Sequence, residues 1–325
     1  MFNVLKDEYS RCFNYLRLSV TDLCNFSCKY CLPDNVYLKS KDYLSLNEIY
    51  NLVYAFSELG VKKIRLTGGE PTIRSDFIDI GKSILSIPGI ESVVFTTNGY
   101  KLYKIIDSVK NVGFSGVNVS LDTLNCKKFF LITGKNCFNK VLEGIYRSIE
   151  IGLSTKINVV LSKFFTIEDF EDFYSFLKYK NVVVRFIEQM ETGFLHKRNG
   201  SNITSFFLMS FLDKNGWIKL EKGDNSDGPA VVFYNSNYLG KIGIINPYSS
   251  TFCFSCNRLR VSSIGNLYLC LFGDRCYSLR KFLDSFESRC NLKQFILDKV
   301  KVKNSSHFLN YGKPGIIKSF ASIGG

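Results

Sequence analysis

Between residues 15 and 187 the apolar positions of this 325-residue chain switch repeatedly between two spacings. Short runs rich in Val, Ile, Thr and Phe alternate with longer stretches whose apolar residues recur every three or four positions. The first pattern predicts strands at 15–20, 63–67, 92–97, 116–120, 155–161 and 182–187. The second predicts helices at 45–59, 75–86, 101–110, 138–151 and 166–178. Ser45 and Glu48 have the spacing of a reciprocal N-cap, and Gly60 and Gly152 stand where helices need a left-handed residue to stop. Strand–helix alternation of this kind implies a parallel sheet with right-handed crossovers. Six units are too few to close an eight-unit barrel, so the expected fold class is α/β, a partial, open six-unit βα barrel.

After Gly193 the rhythm breaks, and residues 221–228 (EKGDNSDG) are rich in turn formers. They predict a boundary between a domain at 1–228 and a smaller C-terminal α+β domain at 229–325 that closes the barrel mouth. Short strands are expected there at 230–234, 242–245, 259–262 and 267–271, with helical stretches near 279–288 and 292–299.

Composition narrows the class further. Aromatic residues make up 15% of the chain, too many for a disordered protein, and no apolar run is long enough to span a bilayer. The first twenty residues mix both charge signs without a signal-peptide core, so a cytoplasmic location without membrane contact is expected. The net charge of +13 invites an anionic partner. No block of like charges marks a nucleic-acid arm, and nucleic acid is not an expected partner. Only two histidines occur, His196 and His307, which excludes histidine-rich zinc sites and the HExxH protease pattern. A P-loop is missing too, since Gly81-Lys82-Ser83 has Asp76 where the motif needs glycine. Nucleotide phosphates would have to be held by side chains.

Eleven cysteines without an export signal point to metal or redox chemistry rather than disulfides. Cys24, Cys28 and Cys31 form C-x3-C-x2-C in the loop after the first strand, where a parallel barrel displays reactive groups. Three thiolates on a four-iron cubane leave one iron without a protein ligand, open to an exogenous chelator. Thr67-Gly68-Gly69-Glu70-Pro71 follows the second strand, and its paired glycines permit a close backbone approach. A second triplet, Cys253, Cys256 and Cys270, again offers three ligands.

The ordered segments LRLSVTDLCNFSCKYC, RLTGGEPTIR, TTNG, NVSLD, KINVVL, RFIEQM, CNRLR and the final Gly324-Gly325 resemble the radical S-adenosylmethionine (SAM) superfamily. Within it they resemble the GTP 3′,8-cyclase family of molybdenum-cofactor biosynthesis, over nearly the whole chain. The resemblance implies two [4Fe–4S] clusters. Cys24, Cys28 and Cys31 would hold the one that chelates SAM, and Cys253, Cys256 and Cys270 the one that binds the guanine of GTP. Tyr30, Gly69, Ser120 and Met190 match SAM-pocket positions. Arg17, Arg65, Thr96, Lys156 and the Arg258-Leu259-Arg260 segment match GTP contacts, with Arg17, Lys156, Gly324 and Gly325 implied in catalysis.

Part of that cationic set has independent physical support. Arg17 alternates with Leu16 and Leu18, and Lys156 lies on the fifth strand, so both can point into the barrel. A cation there is costly unless an anion such as a triphosphate compensates it. The implied reaction splits SAM to a 5′-deoxyadenosyl radical that takes hydrogen from C3′ of GTP, after which C3′ bonds to C8. The implied partners are a reductant protein such as flavodoxin or ferredoxin, the downstream cyclic pyranopterin monophosphate synthase, and a second copy in a homodimer. Cys12, Cys126, Cys137, Cys276 and Cys290 match nothing in the pattern, and Cys276 is expected to stay outside the second ligand set. Two other readings compete: a peptide-modifying radical SAM enzyme with an auxiliary cluster, and a basic, cluster-bearing nucleic-acid binder.

Overall fold

A computed structural model describes residues 4–31, 42–190, 203–221, 228–313, 315–316 and 320–323. The six anticipated strands are present as β1 (Tyr15–Thr21), β2 (Lys63–Gly68), β3 (Ser92–Thr97), β4 (Gly116–Ser120), β5 (Ser154–Leu161) and β6 (Val183–Glu188). Between them run α1 (Leu46–Glu58), α2 (Phe77–Leu85), α3 (Leu102–Val112), α4 (Cys126–Thr133), α5 (Phe138–Glu150) and α6 (Ile167–Tyr179). Ser45 and Glu48 make the reciprocal cap at the start of α1. Gly60 and Gly152 take positive φ just past the ends of α1 and α5.

The C-terminal segments extend this same sheet. They supply α7 (Ser205–Lys214), β7 (Ile218–Lys219), β8 (Val231–Tyr234), β9 (Lys241–Ile245), β10 (Arg258–Val261), β11 (Asn266–Tyr268), β12 (Tyr277–Ser278) and α8 (Arg289–Lys301). The strand order is β12-β11-β10-β1-β2-β3-β4-β5-β6-β9-β8-β7, an open sheet whose two ends do not pair among the described residues. β10 joins β1 and β9 joins β6 in parallel, so eight neighbouring strands run the same way and antiparallel pairs finish each edge. The parallel run is longer than the six strand–helix units because β9 and β10 arrive through other connections.

Three local expectations need correction. The stretch near 279–288 forms two short 3-10 turns, Arg280–Phe282 and Phe286–Ser288, because Asp284-Ser285 interrupts it before an α-helix can propagate. The strand expected at 267–271 ends at Tyr268. α4 and α7 were not anticipated. The residues 222–227 within the expected linker, and His196, lie outside the described set.

The two faces of the sheet differ in chemistry. Leu16, Leu18, Ile64, Leu66, Val93, Phe95, Val117, Val119, Ile157 and Val159 point outward and are fully buried under the helices. Their strand neighbours point into the barrel: Tyr15, Arg17 and Ser19 on β1, Arg65 and Thr67 on β2, Thr96 on β3. A parallel sheet covered on both faces ordinarily carries apolar residues on both. Here the inner face is polar and cationic, which marks the barrel interior as a binding chamber.

Candidate functional site

Parallel register aligns the inner-face cations in rows. Arg17 pairs with Arg65 on one side and Arg260 on the other, a row that meets Val94 on β3, and Thr96, Asn118 and Lys156 form a second row two residues farther along the strands. No Asp or Glu occupies an inward position of these strands. Arg65 is 3% exposed, and its Nη1 donates to the Thr96 hydroxyl at 3.1 Å while its Nε donates to the Tyr15 hydroxyl. Burial, then the neighbouring Arg260 charge, push the Arg17 guanidinium well below its usual pKa. Burial and Arg258 bring Arg260 down to about 10. Several cations share a poorly solvated space, and a polyanion would lower the cost of keeping them there.

The first cysteine triplet faces one end of the same chamber. Cys24, Cys28 and Cys31 line a cavity of about 1060 Å³, counted with its open mouth, together with Tyr30, Gly69, Thr96, Ser120 and Met190. The first triplet, all four expected SAM-pocket residues and one expected GTP contact therefore share one space. Burial pushes the Cys28 thiol up, with Asp122, Cys31 and Cys24 adding to it, and burial and Cys24 push Cys31 up to about 12. Three free thiols that destabilise one another's anions are a donor set that a shared cationic centre would satisfy. Among the described residues no three His, Cys, Asp or Glu groups close around a single ion.

Local contacts explain how the loop is held. Gly68 has φ +141°, and a Cβ there would sit 2.0 Å from the Thr21 carbonyl oxygen; at Gly69 it would sit 2.2 Å from that of Leu23. The close approach that the paired glycines permit is thus to the cysteine loop's own backbone. Gly69 N–H donates to Thr21 O and Glu70 N–H to Leu23 O. The Glu70 side chain is fully buried and accepts from Thr72, from the Thr97 hydroxyl at 2.8 Å and from Asn98 N–H at 2.6 Å. Asn98 in turn donates from Nδ2 to Asn25 and toward the Cys24 sulfur. The GGE and TNG segments therefore clamp the cysteine loop from below. A Gly69→Ala chain is expected to lose ~1–3 kcal/mol of stability through that backbone clash. Thermal unfolding and the iron content after anaerobic reconstitution would both register it, and an unchanged pair would refute the clamp.

Tyr30 and Asp122 belong to the same wall. The Tyr30 hydroxyl donates to Asp122 at 2.7 Å, and Asp122 also accepts from Val160 N–H. Burial pushes Asp122 up to about 6.

The second triplet lies beside the cationic rows. Cys253 and Cys256 share a turn, with Cys256 N–H donating to Cys253 O, and Cys270 follows β11. Both Cys256 and Cys270 lie within the field of Arg260. Burial would raise Cys256, yet Arg258 and Lys303 outweigh it and bring the thiol down to about 6. Arg11 ties this turn to the rest of the molecule: it pairs with Asp7 at 2.6 Å and donates to the carbonyls of Cys253, Asn304 and Ser305. Cys276 is exposed, its thiol hydrogen-bonded to the Tyr268 side chain. Leu259, between the two arginines, is fully buried on the outer face and cannot touch a ligand in the chamber through its side chain.

The C-terminal tail enters between the two triplets. Ala321 and Ile323 are buried, Ala321 N–H donates to the Cys31 sulfur, and Arg260 donates to Ile323 O at 3.4 Å. Gly324 and Gly325 lie outside the described residues.

Several chamber residues were not singled out from sequence. Arg185 donates to Asn158 at 2.6 Å, and a Cβ at Gly243 would sit 2.8 Å from its side chain, so the glycine on β9 makes its space. Its signal was available: Arg185 stands between apolar Val184 and Phe186, as Arg17 stands between leucines. Tyr15 was the other omission. Burial would raise its phenol, but Arg65, Arg17 and Lys63 bring it down to about 8. A lowered acid stabilises the fold fully above its unfolded pKa, and that contribution fades as pH falls through about 8. Phenolate absorbance should therefore show one tyrosine titrating near pH 8. GTP should move it upward by neutralising the arginines, and Tyr15→Phe should abolish it; a step that survives the substitution refutes the assignment.

Comparison with known proteins places these features in a family. A model described as the radical SAM superfamily matches residues 18–177, and one described as molybdenum cofactor synthesis C matches residues 182–309. A GTP 3′,8-cyclase of Psychromonas ingrahamii is 45% identical, over 100% of this chain and 96% of its own. One from Haemophilus influenzae is 45% identical over 99% and 96%. Among solved structures, Streptococcus suis SuiB bound to S-adenosylmethionine superposes with a TM-score of 0.66 at 13% identity, a likeness of fold alone. It covers 86% of this chain, and the chain spans 66% of SuiB. Membership implies work with SAM and an iron–sulfur cluster. Full-length identity and both family models lead to one assignment: the chain belongs to the GTP 3′,8-cyclase family of the radical SAM superfamily.

Proposed function

We propose that this chain converts GTP to (8S)-3′,8-cyclo-7,8-dihydro-GTP, the first step of molybdenum-cofactor biosynthesis. When bound, SAM and an iron–sulfur cluster supply a 5′-deoxyadenosyl radical. The carrying observation is the juxtaposition in one barrel of a three-cysteine cavity and a cationic row free of inward carboxylates. Cys24, Cys28 and Cys31 would hold the first cluster, and Tyr30, Gly69, Ser120 and Met190, which line the same cavity, would hold SAM. Asp122 fixes Tyr30, and the GGE segment fixes the loop.

Arg17, Arg65, Lys156, Arg258 and Arg260 hold the triphosphate, with Thr96 and Tyr15 orienting Arg65. Guanidinium forks suit phosphate oxygens, and the surrounding low-dielectric wall strengthens each contact. Cys253, Cys256 and Cys270 would hold a second cluster able to take the guanine end; the field of Arg258 and Lys303, which favours the Cys256 thiolate, supports this. Ala321 and Ile323 of the tail bond Cys31 and Arg260, and the proposal includes a catalytic role for Gly324 and Gly325. Substrate held at both ends keeps C3′ oriented and water excluded, which is what a reactive radical demands of its protein.

Residues 1–228 form the SAM-binding part, which also supplies Arg17, Arg65 and Lys156 to the substrate, and 229–325 the part that carries the second cysteine triplet. A cytoplasmic location, a flavodoxin- or ferredoxin-type reductant, delivery of the product to cyclic pyranopterin monophosphate synthase, and a homodimer complete the proposal. Among the described residues no helix is long and apolar enough to cross a membrane. The inward placement of the cations supports a small polyanionic substrate over a nucleic-acid strand, which would need them outside.

The test is anaerobic: reconstitute iron and sulfide, reduce with dithionite, add SAM and GTP, and look for 5′-deoxyadenosine with a cyclised guanosine product. 5′-Deoxyadenosine formed with a peptide substrate but never with GTP would overturn the assignment.

A further inference from the structure

The cysteine loop comes to the surface against α4. Ser27 N–H donates to Thr133 O and Lys29 N–H to Ile132 O, so Cys28 lies between two residues bonded to the C-terminal end of that helix. Phe26 packs edge-on against Phe129, at 6.0 Å between centroids, fixing the two elements together. Around this contact three segments, 23–31, 126–140 and 162–165, carry six lysines and no carboxylate. Lys128 is tied to Asp169 on α6 and has Glu168 in its vicinity, whereas Lys29, Lys127, Lys135, Lys140 and Lys163 are exposed. Lys29 and Lys163 sit over the same Phe164 ring, at 5.6 and 5.3 Å, which joins the third segment to the first two. Within the lysine ring, Phe130 is 53% and Leu131 58% exposed, adjacent apolar residues on a helix whose other face is buried.

An apolar centre inside a single-sign rim has the make-up of a small, transient, electrostatically steered interface. Its location is specific: α4 is hydrogen-bonded to the residues on both sides of Cys28. We propose that the α4 face, centred on Phe130 and Leu131 and rimmed by Lys127, Lys135 and Lys163, docks an acidic one-electron donor protein that reduces the first cluster. This rests on the function proposed above and adds the donor's site and charge. In each encounter one electron leaves the donor's reduced centre and is taken up at the site held by Cys24, Cys28 and Cys31. The donor is oxidised by one electron, and no bond is made or broken at the interface. The lysines steer the acidic face, and the two apolar side chains seat it.

Reduced flavodoxin is the probe. The charge-reversed chain Lys127→Glu/Lys135→Glu/Lys163→Glu, in holoenzyme form, should lose about 10- to 100-fold in flavodoxin-driven 5′-deoxyadenosine formation at low ionic strength. The loss should shrink as salt screens the rim. Phe130→Ala/Leu131→Ala should weaken donor binding at every salt concentration. Calorimetric titration of oxidised flavodoxin into the holoenzyme should show the same losses without any turnover. With dithionite, which needs no docking surface, both chains should match the unsubstituted protein.

Equal flavodoxin-driven rates and equal binding would overturn the proposal, as would an equal loss with dithionite, which would mean damage to the site. If sedimentation instead shows that the substitutions dissolve a dimer while flavodoxin binding persists, the face is a self-association surface and the proposal fails. No 5′-deoxyadenosine from the unsubstituted protein with dithionite would overturn the functional reading, leaving the binding titration to decide the docking site.

Discussion

Replacing Arg17 by methionine is expected to lower GTP turnover by about a thousandfold while making the nucleotide-free protein more stable. The loss follows from removing one member of a buried set of charged contacts, an effect of ~2–5 kcal/mol. The gain follows from the rows themselves. In the absence of substrate, Arg17 stands between Arg65 and Arg260, and burial together with the Arg260 charge already disfavours its ionised form. A methionine of similar length removes like-charge repulsion and desolvation; where whole buried ionic groups are replaced by apolar side chains the gain is ~1–4 kcal/mol. Because Arg17 retains part of its solvent exposure, the lower end applies. The checks are steady-state kinetics under anaerobic conditions and thermal unfolding with and without GTP. Lower turnover joined to lower stability would show that Arg17 holds the fold together, and the substrate assignment of the row would fall with it.

The second large effect concerns Cys256. A Cys256→Ser chain should hold about four irons after reconstitution where the unsubstituted chain holds about eight. It should form no cyclised product from GTP, yet still cleave SAM slowly with dithionite. The argument is spatial: Cys256 belongs to the turn held by Arg11 and faces Arg258 and Lys303, whereas the SAM-side thiols line the other end of the chamber. Iron analysis and product analysis are independent readouts. Undiminished iron with full GTP conversion would remove Cys256 from the ligand set.

How much of this could be read from residue order depended on whether the cause was local. The six strand–helix strands were legible to within a residue or two because their outward positions bury aliphatic side chains under amphipathic helices, a pattern that repeats along the chain. The cap of α1 was legible because Ser45 and Glu48 satisfy each other's backbone groups. α4 escaped notice because it is only eight residues long and carries Phe129, Phe130, Leu131 and Ile132 in a row, a run that mimics a strand. The parallel pairing of β9 with β6 and of β10 with β1 could not be seen, since register between distant segments is a property of the finished fold. The polar face was half legible. An arginine between leucines announced itself at Arg17, but the same signal at Arg185 went unused. Tyr15 looked apolar until three cations were found around its hydroxyl. The role of Glu70 was not legible either, because its partners Thr97 and Asn98 stand at and just past the end of another strand, β3.

The pairing of β10 with β1 also bears on how the protein is made. β1 has one hydrogen-bonding edge satisfied by β2 within some fifty residues, but its other edge waits for Arg258–Val261, far later in the chain. Until then a nascent chain already carrying Cys24, Cys28 and Cys31 exposes an unpaired strand, the surface on which chains stick to one another. Metal loading before β10 is made would thus meet a half-built vessel.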